Sequence, residues 1–299
     1  MRTNNKDLPL DQFIEFALYD KDKGYYMKKN PFGKEGDFIT APNITRLFSE
    51  IIAIWVVTFW KSIGSPKKFN LVELGAGNGE MMKVIAETLK NFPECFLNCN
   101  FLIHEKSEFL KKKQQINLES EKITWIENIE ITNSFPTIFL ANEFFDALPI
   151  KQFFRKKEGW VERFVDLKEE EKAEFKEQST DIKIIEQKLN FEISKDQEII
   201  EYSPGSFEYL NNICNLIKKN DGGILIIDYG YLNFKMRETL QAINNHKFSS
   251  ILEDIGDSDI TYNINFNLYK KFIDQFDDLN SIITNQKKFL TNMRIFQIS

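Results

Sequence analysis

The sequence predicts an α/β fold with a mostly parallel, doubly wound sheet, an N-terminal helical cap and an inserted segment. Two observations carry this prediction. Short apolar runs alternate with helix-like stretches between residues 69 and 150, and a glycine-rich loop directly follows the first of these runs. A series of strand, helix and strand implies parallel strands that are covered on both faces.

Length and charge limit the classes of protein to be considered. The chain has 299 residues, enough for one large domain or two of ordinary size. Its net charge of −6 argues against general nucleic-acid affinity, because binding to phosphates requires a basic surface. No apolar run approaches the ~18 residues of a membrane helix, and the N-terminus has neither a signal nor a transit pattern. We therefore expect a cytoplasmic protein without membrane insertion.

The cysteines do not predict a disulfide framework or a metal site. Cys95, Cys99 and Cys214 are an odd set in a long chain, which makes a disulfide scaffold unexpected. Cys95, Cys99 and His104 could be imagined as metal ligands, but they lack the paired C-x-x-C spacing of zinc sites. The sequence after Cys99 also alternates like a strand. We therefore expect buried thiols beside a sheet and no metal.

The N-terminal quarter predicts helices. Residues 8–20 place apolar side chains at helical intervals, and residues 45–61 continue as a mostly apolar helix. The loop between them is rich in glycine, lysine and aromatic residues. Residues 1–62 are therefore the predicted N-terminal helical cap.

The remaining sequence predicts the sheet and its insertion. The predicted strands are "FNLVEL", "NFLIHE", "KITWI", "TIFLAN" and "GILIIDYG", with helices over 80–91, 106–116 and 206–219. Residues 152–165 predict a hairpin, and the charged run "LKEEEKAEFKEQ" predicts a solvated helix or loop. This organisation is a single domain over 1–299, with its core in 69–150 and 206–299 and an insertion at 151–205.

The glycine loop lies where a doubly wound fold binds a nucleotide-like ligand. Gly75, Gly77 and Gly79 stand between a predicted strand and a predicted helix. A dinucleotide fingerprint, G-x-G-x-x-G, places its third glycine one residue later, and its pyrophosphate would here meet Glu73 and Glu80. S-adenosylmethionine (SAM) carries no phosphate and has positive sulfonium and amino groups. These acids therefore favour SAM as the cofactor.

A second carboxylate supports the same cofactor. Glu105 ends the next predicted strand, where a carboxylate can bind both hydroxyls of a ribose. The loop, its acids and Glu105 together match the pattern E-x-G-x-G-x-G of class I methyltransferases. The alternative is a glycine turn with incidental acids.

Polar residues also follow the strand "TIFLAN". Asn142, Glu143 and Asp146 emerge at its carboxyl end, where an acceptor would meet the methyl group. An arginine nucleophile is protonated and delocalised, so two carboxylates could bind its guanidinium, localise the charge and favour attack by one nitrogen. We assign this role to Glu143 and Asp146. Alternatively, Asn142 and Asp146 cap a short helix and Glu143 is solvated.

At this point the chain resembles the MidA-like family of SAM-dependent methyltransferases. The resemblance covers almost the whole chain and is carried by "GDFITAP" at 36–42, "VELGAGNGEMM" at 72–82, "NEFFDALPIKQF" at 142–153, "EYSPGS" at 201–206 and "GGILIIDYGY" at 222–231. It implies a Rossmann-like methyltransferase domain that binds SAM. It also implies a protein partner with an accessible arginine, and in a characterised member symmetric dimethylation of a respiratory complex I subunit of the 49-kDa type.

The resemblance implies further site residues. By analogy with the family, a loop closes over the cofactor and is formed by Gly36, Asp37, Phe38, Thr40 and Pro42. Asn142 joins the cofactor-binding set. The location implied is the cytoplasm for a bacterial protein, or the mitochondrial matrix for a eukaryotic one. The oligomeric state is not predicted.

Several positions depart from the family pattern. Asn43 replaces an acid, and Asn263 and Asn265 replace a histidine and an acid. The stretch at 284–295 resembles an internal family segment that is normally followed by a last strand, whereas the given chain stops at Ser299. Either the sheet lacks that strand and has an exposed edge, or the given sequence is truncated.

Three functions remain open on this sequence. The leading hypothesis is a protein arginine methyltransferase that assists complex I assembly. The second is a SAM-dependent methyltransferase for a different acceptor. The third is a non-catalytic chaperone for a complex I subunit, which the departures at Asn43, Asn263 and the C-terminus keep open.

Overall fold

A computed structural model gives the structure of the chain and describes residues 7–28, 45–132, 134–167, 173–244 and 247–295. The helices in these ranges are α1 (Leu10–Tyr19), α2 (Tyr25–Lys28), α3 (Arg46–Ser62), α4 (Glu80–Leu89), α5 (Pro93–Asn98), α6 (Glu108–Asn117), α7 (Lys183–Leu189), α8 (Pro204–Asn220), α9 (Phe266–Ile273) and α10 (Gln286–Ile295), with a 3-10 helix at Ile129–Thr132.

The strands in the same ranges include those of the predicted sheet and several short ones. They are β1 (Leu8–Pro9), β2 (Phe69–Leu74), β3 (Cys99–His104), β4 (Ile123–Ile126), β5 (Thr137–Asn142), β6 (Lys151–Lys156), β7 (Gly159–Leu167), β8 (Ala173–Thr180), β9 (Ile199–Tyr202), β10 (Gly222–Ile227), β11 (Gly230–Tyr231), β12 (Gln241–Asn244), β13 (Lys247–Ser249), β14 (Asp259–Thr261) and β15 (Ile264–Asn265).

The chain divides into two compact units that are interleaved along the sequence. The first unit contains Met1–Lys28, Phe145–Leu210 and Tyr229–Gln275, and the second contains Lys29–Phe144, Asn211–Asp228 and Phe276–Ser299. The predicted insertion at 151–205 thus belongs to the same unit as the first helix. A single methyltransferase domain over the whole chain stays a prediction.

The second unit is built on a parallel sheet of strands in the order β10-β5-β2-β3-β4. All of its strand pairs are parallel. Every residue of the central strand β2 is buried, which requires cover on both faces of the sheet. The predicted α/β fold with a parallel sheet is therefore confirmed.

Apolar periodicity explains how this sheet is covered. The helices α3 and α4 bury one face each, and side chains such as Ile52, Val56 and Ile85 share one core with Leu71 and Ile138 of the strands. Phe289 and Leu290 of α10 pack against the same core. The mostly apolar helix that the sequence predicts over residues 45–61 is thus the buried helix α3.

The strand order creates a switch point at the middle of the sheet. From β2 the chain proceeds outward through β3 and β4, and then returns to the other side of β2 to form β5 and β10. The connections that leave the carboxyl ends of β2 and β5 therefore diverge. In open parallel sheets such a divergence leaves a crevice in which ligands bind.

Glycines allow β10 to join this sheet closely. Within the described ranges β10 pairs with β5 alone. A Cβ built on Gly222 would lie 2.0 Å from the carbonyl oxygen of Thr137, and one on Gly223 would lie 2.4 Å from the Phe59 ring. Gly222 also has a φ of 131°. A side chain at either position would displace β10 or its neighbours.

The first unit contains an antiparallel sheet of β1, β7, β6 and β9, with β8 paired to the other side of β7. The predicted hairpin is confirmed as β6 and β7. The prediction of a solvated helix or loop for the charged run is wrong over 173–178, which lies in β8; residues 168–172 lie outside the described ranges. The strand forms by antiparallel pairing with β7, from Trp160 opposite Thr180 to Leu167 opposite Ala173. Lys176 Nζ also lies 2.6 Å from Asp166 of β7 and 3.1 Å from Asp7.

Aromatic side chains and a partly buried lysine make further contacts in the first unit. Phe207 lies at the centre of an aromatic cluster, with ring centroids 5.6 Å from Tyr269 and 5.1 Å from Phe272. The Lys151 Nζ lies 3.0 Å from Asp11 and 2.6 Å from Glu162. The aromatic contacts join α8 to α9, and the lysine joins α1 to β6 and β7 of the antiparallel sheet.

The steric role of Gly222 can be separated from its backbone conformation. Gly159 has a φ of 129° but nothing lies within 4 Å of a Cβ built there, whereas at Gly222 the φ is 131° and the Cβ clashes. We expect Gly159→Ala to lower the free energy of unfolding by about 1 kcal/mol and Gly222→Ala by about 3 kcal/mol or more. Urea denaturation measures both, and equal losses would contradict the close packing of β10 on β5.

Candidate functional site

The glycine loop leaves the carboxyl end of β2 through three left-handed residues. Gly75, Gly77 and Gly79 have φ values of 65°, 55° and 84°, a region that side chains other than glycine rarely adopt. The N–H of Gly79 donates to the carbonyl of Ala76 at 2.7 Å, and the Asn78 side chain accepts from the N–H of Glu80 at 3.2 Å. The loop therefore turns sharply into the first turn of α4.

Two side chains, those of Phe144 and Leu118, pack closely against this loop. A Cβ on Gly75 would lie 2.8 Å from the Phe144 ring, and one on Gly79 would lie 3.0 Å from Leu118. Phe144 belongs to the segment that follows β5, so the loops after β2 and β5 meet at the switch point. The three predicted glycines are thus brought to the crevice of the sheet.

Glu73 is a buried carboxyl group at this point. It is 3% exposed and lies near the end of β2. The group accepts a hydrogen bond from the backbone N–H of Met82 in α4, while its Oε2 has no hydrogen-bond partner among the described residues. Burial, and then the charge of Glu105, raise the pKa of Glu73 to about 8.

Glu105 is the second carboxyl group, directly after β3. Its Oε1 accepts from the N–H of Ser107 at 2.9 Å, and its Oε2 accepts from the Gln114 side chain at 2.9 Å. Burial raises the pKa of Glu105, and these hydrogen bonds oppose the rise. A positive charge arriving beside Glu73 and Glu105 would favour the ionised form of both groups and be stabilised by them, whereas a phosphate would gain no such attraction.

The segment after β5 adds a polar atom and a strained residue. The Oδ1 of Asn142 is buried without a hydrogen-bond partner among the described residues. The next residue, Glu143, has a φ of 48°, and its N–H donates to the carbonyl of Ile227 at 2.8 Å. Such a conformation is uncommon outside glycine and clusters at functional sites.

Asp146 belongs to the first unit, so the chain passes from one unit to the other between Glu143 and Asp146. Asp146 is 6% exposed, and its backbone carbonyl accepts from the N–H of Tyr262 at 3.2 Å. No helix forms between β5 and β6, which removes the alternative that Asn142 or Asp146 caps a helix there.

The other predicted residues divide into three groups. Gly36, Asp37 and Thr40 of the predicted covering loop lie outside the described residues, as do Phe38, Pro42 and Asn43. Asn265 caps α9, since its side chain accepts from the N–H groups of Asn267 and Leu268 at 3.1 and 3.3 Å. The backbone N–H of Asn263 donates to the Thr239 hydroxyl at 2.9 Å.

The cysteine and histidine residues serve packing in the described part of the chain. Cys95, Cys99 and Cys214 are free thiols, and burial raises the pKa of each. His104 Nδ1 lies 3.2 Å from the carbonyl of Ile126. Within the described ranges no group of three or more potential metal ligands is found.

Sequence reasoning missed three side chains at this site. Phe144 packs on Gly75, Gln114 donates to Glu105, and Asn117 donates to the carbonyl of Asn78 at 2.8 Å. Phe144 lies inside the quoted stretch "NEFFDALPIKQF", which was a signal for it. Gln114 and Asn117 lie on a helix of polar composition, where nothing in the sequence distinguishes them from solvated residues.

Comparison with protein families places this chain by its sequence. A family model described as "Putative S-adenosyl-L-methionine-dependent methyltransferase" matches residues 51–283. The match spans the parallel sheet, the glycine loop and most of the first unit.

Several curated proteins that are named protein arginine methyltransferases are similar to this chain in sequence. The chain is 26% identical over 314 residues to "Protein arginine methyltransferase NDUFAF7, mitochondrial" of Xenopus laevis, covering 96% of this chain and 71% of that protein. The human protein of the same name is 27% identical over 322 residues, with coverages of 95% and 69%. The Drosophila melanogaster homolog is 28% identical over 295 residues, with coverages of 88% and 66%.

Solved structures resemble this chain in fold. The crystal structure of a Burkholderia thailandensis protein bound to S-adenosyl-homocysteine superposes with a TM-score of 0.82 at 20% identity, covering 98% of this chain and 78% of that one. A native crystal structure from the same organism gives a TM-score of 0.78 at 20% identity, with coverages of 98% and 77%. In the described part of this chain, no helix has the length and apolar character to cross a membrane.

The buried carboxyl group of Glu73 makes stability depend on pH. The pKa of Glu73 is about 8 in the folded chain against an ordinary 4.5. The contribution of this group to the free energy of unfolding is therefore largest below pH 4.5 and is lost as the pH rises to 8. The loss reaches about 3 kcal/mol at pH 7. We expect Glu73→Gln to remove this decline, which urea denaturation at pH 5 and pH 8 measures.

Glu80→Gln is the matched control for this experiment, because Glu80 begins α4 at the other end of the glycine loop and is only partly buried. The control should keep the wild-type decline between the two pH values. An unchanged decline in Glu73→Gln would mean that Glu73 is ionised in the folded protein without a ligand.

Proposed function

The chain belongs to the MidA-like family of S-adenosyl-L-methionine-dependent methyltransferases, and we propose that it methylates an arginine side chain of another protein. Family membership confirms the enzyme class and the SAM cofactor that the sequence predicted. One observation carries the match between cofactor and site. The Glu73 carboxyl is buried beside the glycine loop at the switch point, and one of its oxygens has no hydrogen-bond partner among the described residues. Such a group suits a cationic ligand without phosphate.

We infer that the second unit has the Rossmann-like arrangement of class I methyltransferases. Two features support this inference. Numbered by their order along the chain, its strands β4, β3, β2, β5 and β10 follow the order 3-2-1-4-5, and the loop after the first strand carries the glycines. The complete burial of β2 agrees with helices on both faces.

The proposed cofactor-binding residues act by shape and charge. Gly75, Gly77 and Gly79 leave space for the ligand beside the backbone, Glu73 and Asn142 offer buried acceptor atoms, and Glu105 can accept from the ribose hydroxyls. Gly36, Asp37 and Thr40 are assigned to a covering loop by family resemblance alone. SAM supplies a methyl group that is activated by the positive charge of its sulfur.

The acceptor side of the proposal concerns Glu143 and Asp146. An arginine stays protonated at neutral pH, so its nucleophilic nitrogen needs carboxylates that draw the charge toward the other nitrogens. The left-handed conformation of Glu143, held by Ile227, supports a function for this residue. The burial of Asp146 supports a role in binding the guanidinium.

The names of the similar proteins support arginine in a protein as the acceptor. The family resemblance extends the proposal to symmetric dimethylation of a respiratory complex I subunit of the 49-kDa type. A cytoplasmic location, or the mitochondrial matrix in a eukaryote, is part of the same proposal. The departures from the family pattern at Asn43 and Asn263 keep a non-catalytic assembly chaperone as the second candidate.

Methylation of the purified 49-kDa-type subunit tests the proposal directly. The subunit is incubated with SAM, with and without this protein, and its arginines are analysed by mass spectrometry. A dimethylated arginine only in the presence of the protein is the expected result. An unmodified subunit with retained SAM binding would indicate another acceptor, and absence of SAM binding would leave the chaperone.

Gly75→Ala is expected to weaken SAM binding about tenfold or more. The new methyl group would lie 2.8 Å from the Phe144 ring, and the φ of 65° disfavours alanine, so the loops after β2 and β5 must separate. Isothermal titration calorimetry with SAM measures the change. Gly64→Ala, with a φ of 87° and nothing within 4 Å of its Cβ, is the matched control. Equal affinities in the two variants would contradict a ligand at this loop.

Glu143→Gln is expected to retain SAM binding and to lower kcat about 100-fold, because it removes the charge assigned to the acceptor and keeps the side-chain shape. Calorimetry and a methyl-transfer assay separate the two quantities. A parallel loss of SAM affinity and kcat would contradict an acceptor role that is separate from cofactor binding.

A further inference from the structure

The side chain of Gln114 lies behind the proposed cofactor site with all of its polar atoms engaged. It is 0% exposed. Its Nε2 donates to the carbonyl of Gly77 at 2.9 Å and to Oε2 of Glu105 at 2.9 Å, and its Oε1 accepts from the indole of Trp125 at 2.8 Å. One carboxamide therefore joins the glycine loop, the end of β3 and the strand β4.

The direction of this carboxamide is fixed by chemistry. An indole nitrogen can only donate, so the oxygen of Gln114 must face Trp125. Its two N–H groups then face the carbonyl of Gly77 and the carboxylate of Glu105, both of which are acceptors. A reversed carboxamide would leave all three contacts without a donor and acceptor pair.

The helix α6 also donates a hydrogen bond to Asn78, the next residue of the glycine loop. Asn117, one turn after Gln114, donates to the carbonyl of Asn78 at 2.8 Å. A Cβ on Gly79 would lie 3.5 Å from the Cγ of Gln114. The helix α6 thus holds two successive carbonyls of the glycine loop and adjoins the third glycine.

We propose that Gln114 is a positioning residue for the cofactor. Its side chain holds the glycine loop and the Glu105 carboxylate at a fixed distance from each other, and the hydrogen bond from Trp125 orients that side chain. This inference rests on the proposed function, since it assigns the loop and Glu105 to SAM. Hydrogen bonds from Gln114 and Ser107 reach different oxygens of Glu105, and the backbone of Lys106 adds a third. The plane of the carboxylate is therefore set before a ribose diol binds. We assign no contact with the ligand to Gln114 itself, which acts through the glycine loop and Glu105.

A matched pair of variants tests the positioning role. Gln114→Leu keeps the approximate volume and removes every polar contact, and Gln115→Leu makes the same change at an exposed position of the same helix. We expect Gln114→Leu to weaken SAM binding roughly 10- to 100-fold and Gln115→Leu to leave it unchanged. In the transfer assay the KM for SAM should rise while kcat at saturating SAM stays within about twofold.

Two further variants keep the test valid if Gln114→Leu does not fold. Gln114→Glu can still accept from Trp125, but its donor is lost when the carboxyl ionises, so its SAM affinity should fall relative to wild type as the pH rises. Trp125→Phe leaves Gln114 in place and removes the group that directs it. It should weaken SAM binding roughly threefold to tenfold.

The outcomes separate this inference from the proposed function. Wild-type protein that fails to bind SAM would refute the cofactor site itself. Wild-type binding with unchanged affinity and pH profile in the Gln114 and Trp125 variants would overturn the positioning role. A loss of thermal stability without a change in SAM affinity would likewise assign Gln114 to packing alone and overturn the inference.

Discussion

The burial of the Glu73 carboxyl at the carboxyl end of β2 is the constraint on which the candidate site depends. A carboxyl group near the end of a fully buried strand is costly when ionised, and the neighbouring Glu105 adds to that cost. The group stays protonated near neutral pH until a positive charge arrives. A cationic ligand thus lowers the free-energy cost of ionising the buried Glu73 carboxyl. This is an electrostatic reason for the site to prefer SAM over a phosphate.

The parallel sheet makes this arrangement possible. Because β2 and β5 run in the same direction at the switch point, the glycine loop, Asn142 and Glu143 all leave the same edge of the sheet. The close contact between Gly75 and the Phe144 ring joins these two loops. A substitution in one loop is therefore transmitted to the other, although they are separated by about seventy residues of sequence.

Hydrogen bonds from outside the loop complete the site. Glycines permit the left-handed backbone but do not enforce it, since they lose more conformational freedom on folding than other residues. The amide side chains of Gln114 and Asn117 bind the carbonyls of Gly77 and Asn78 and hold the loop in one conformation. The helix after β3 therefore contributes to ligand binding through support of the loop and of Glu105.

The sequence by itself determined the parallel strands, the glycine loop, the acids around it and the preference for SAM, because strand periodicity, glycine spacing and charge are local properties. It was wrong for the charged run at 173–178, where pairing with β7 overrides the composition. Only the tertiary structure decided that Glu73 lacks a partner for one oxygen, that Phe144 meets Gly75, and that Gln114 faces Glu105. These features arise where distant segments meet, and no local pattern encodes which atoms will be neighbours there.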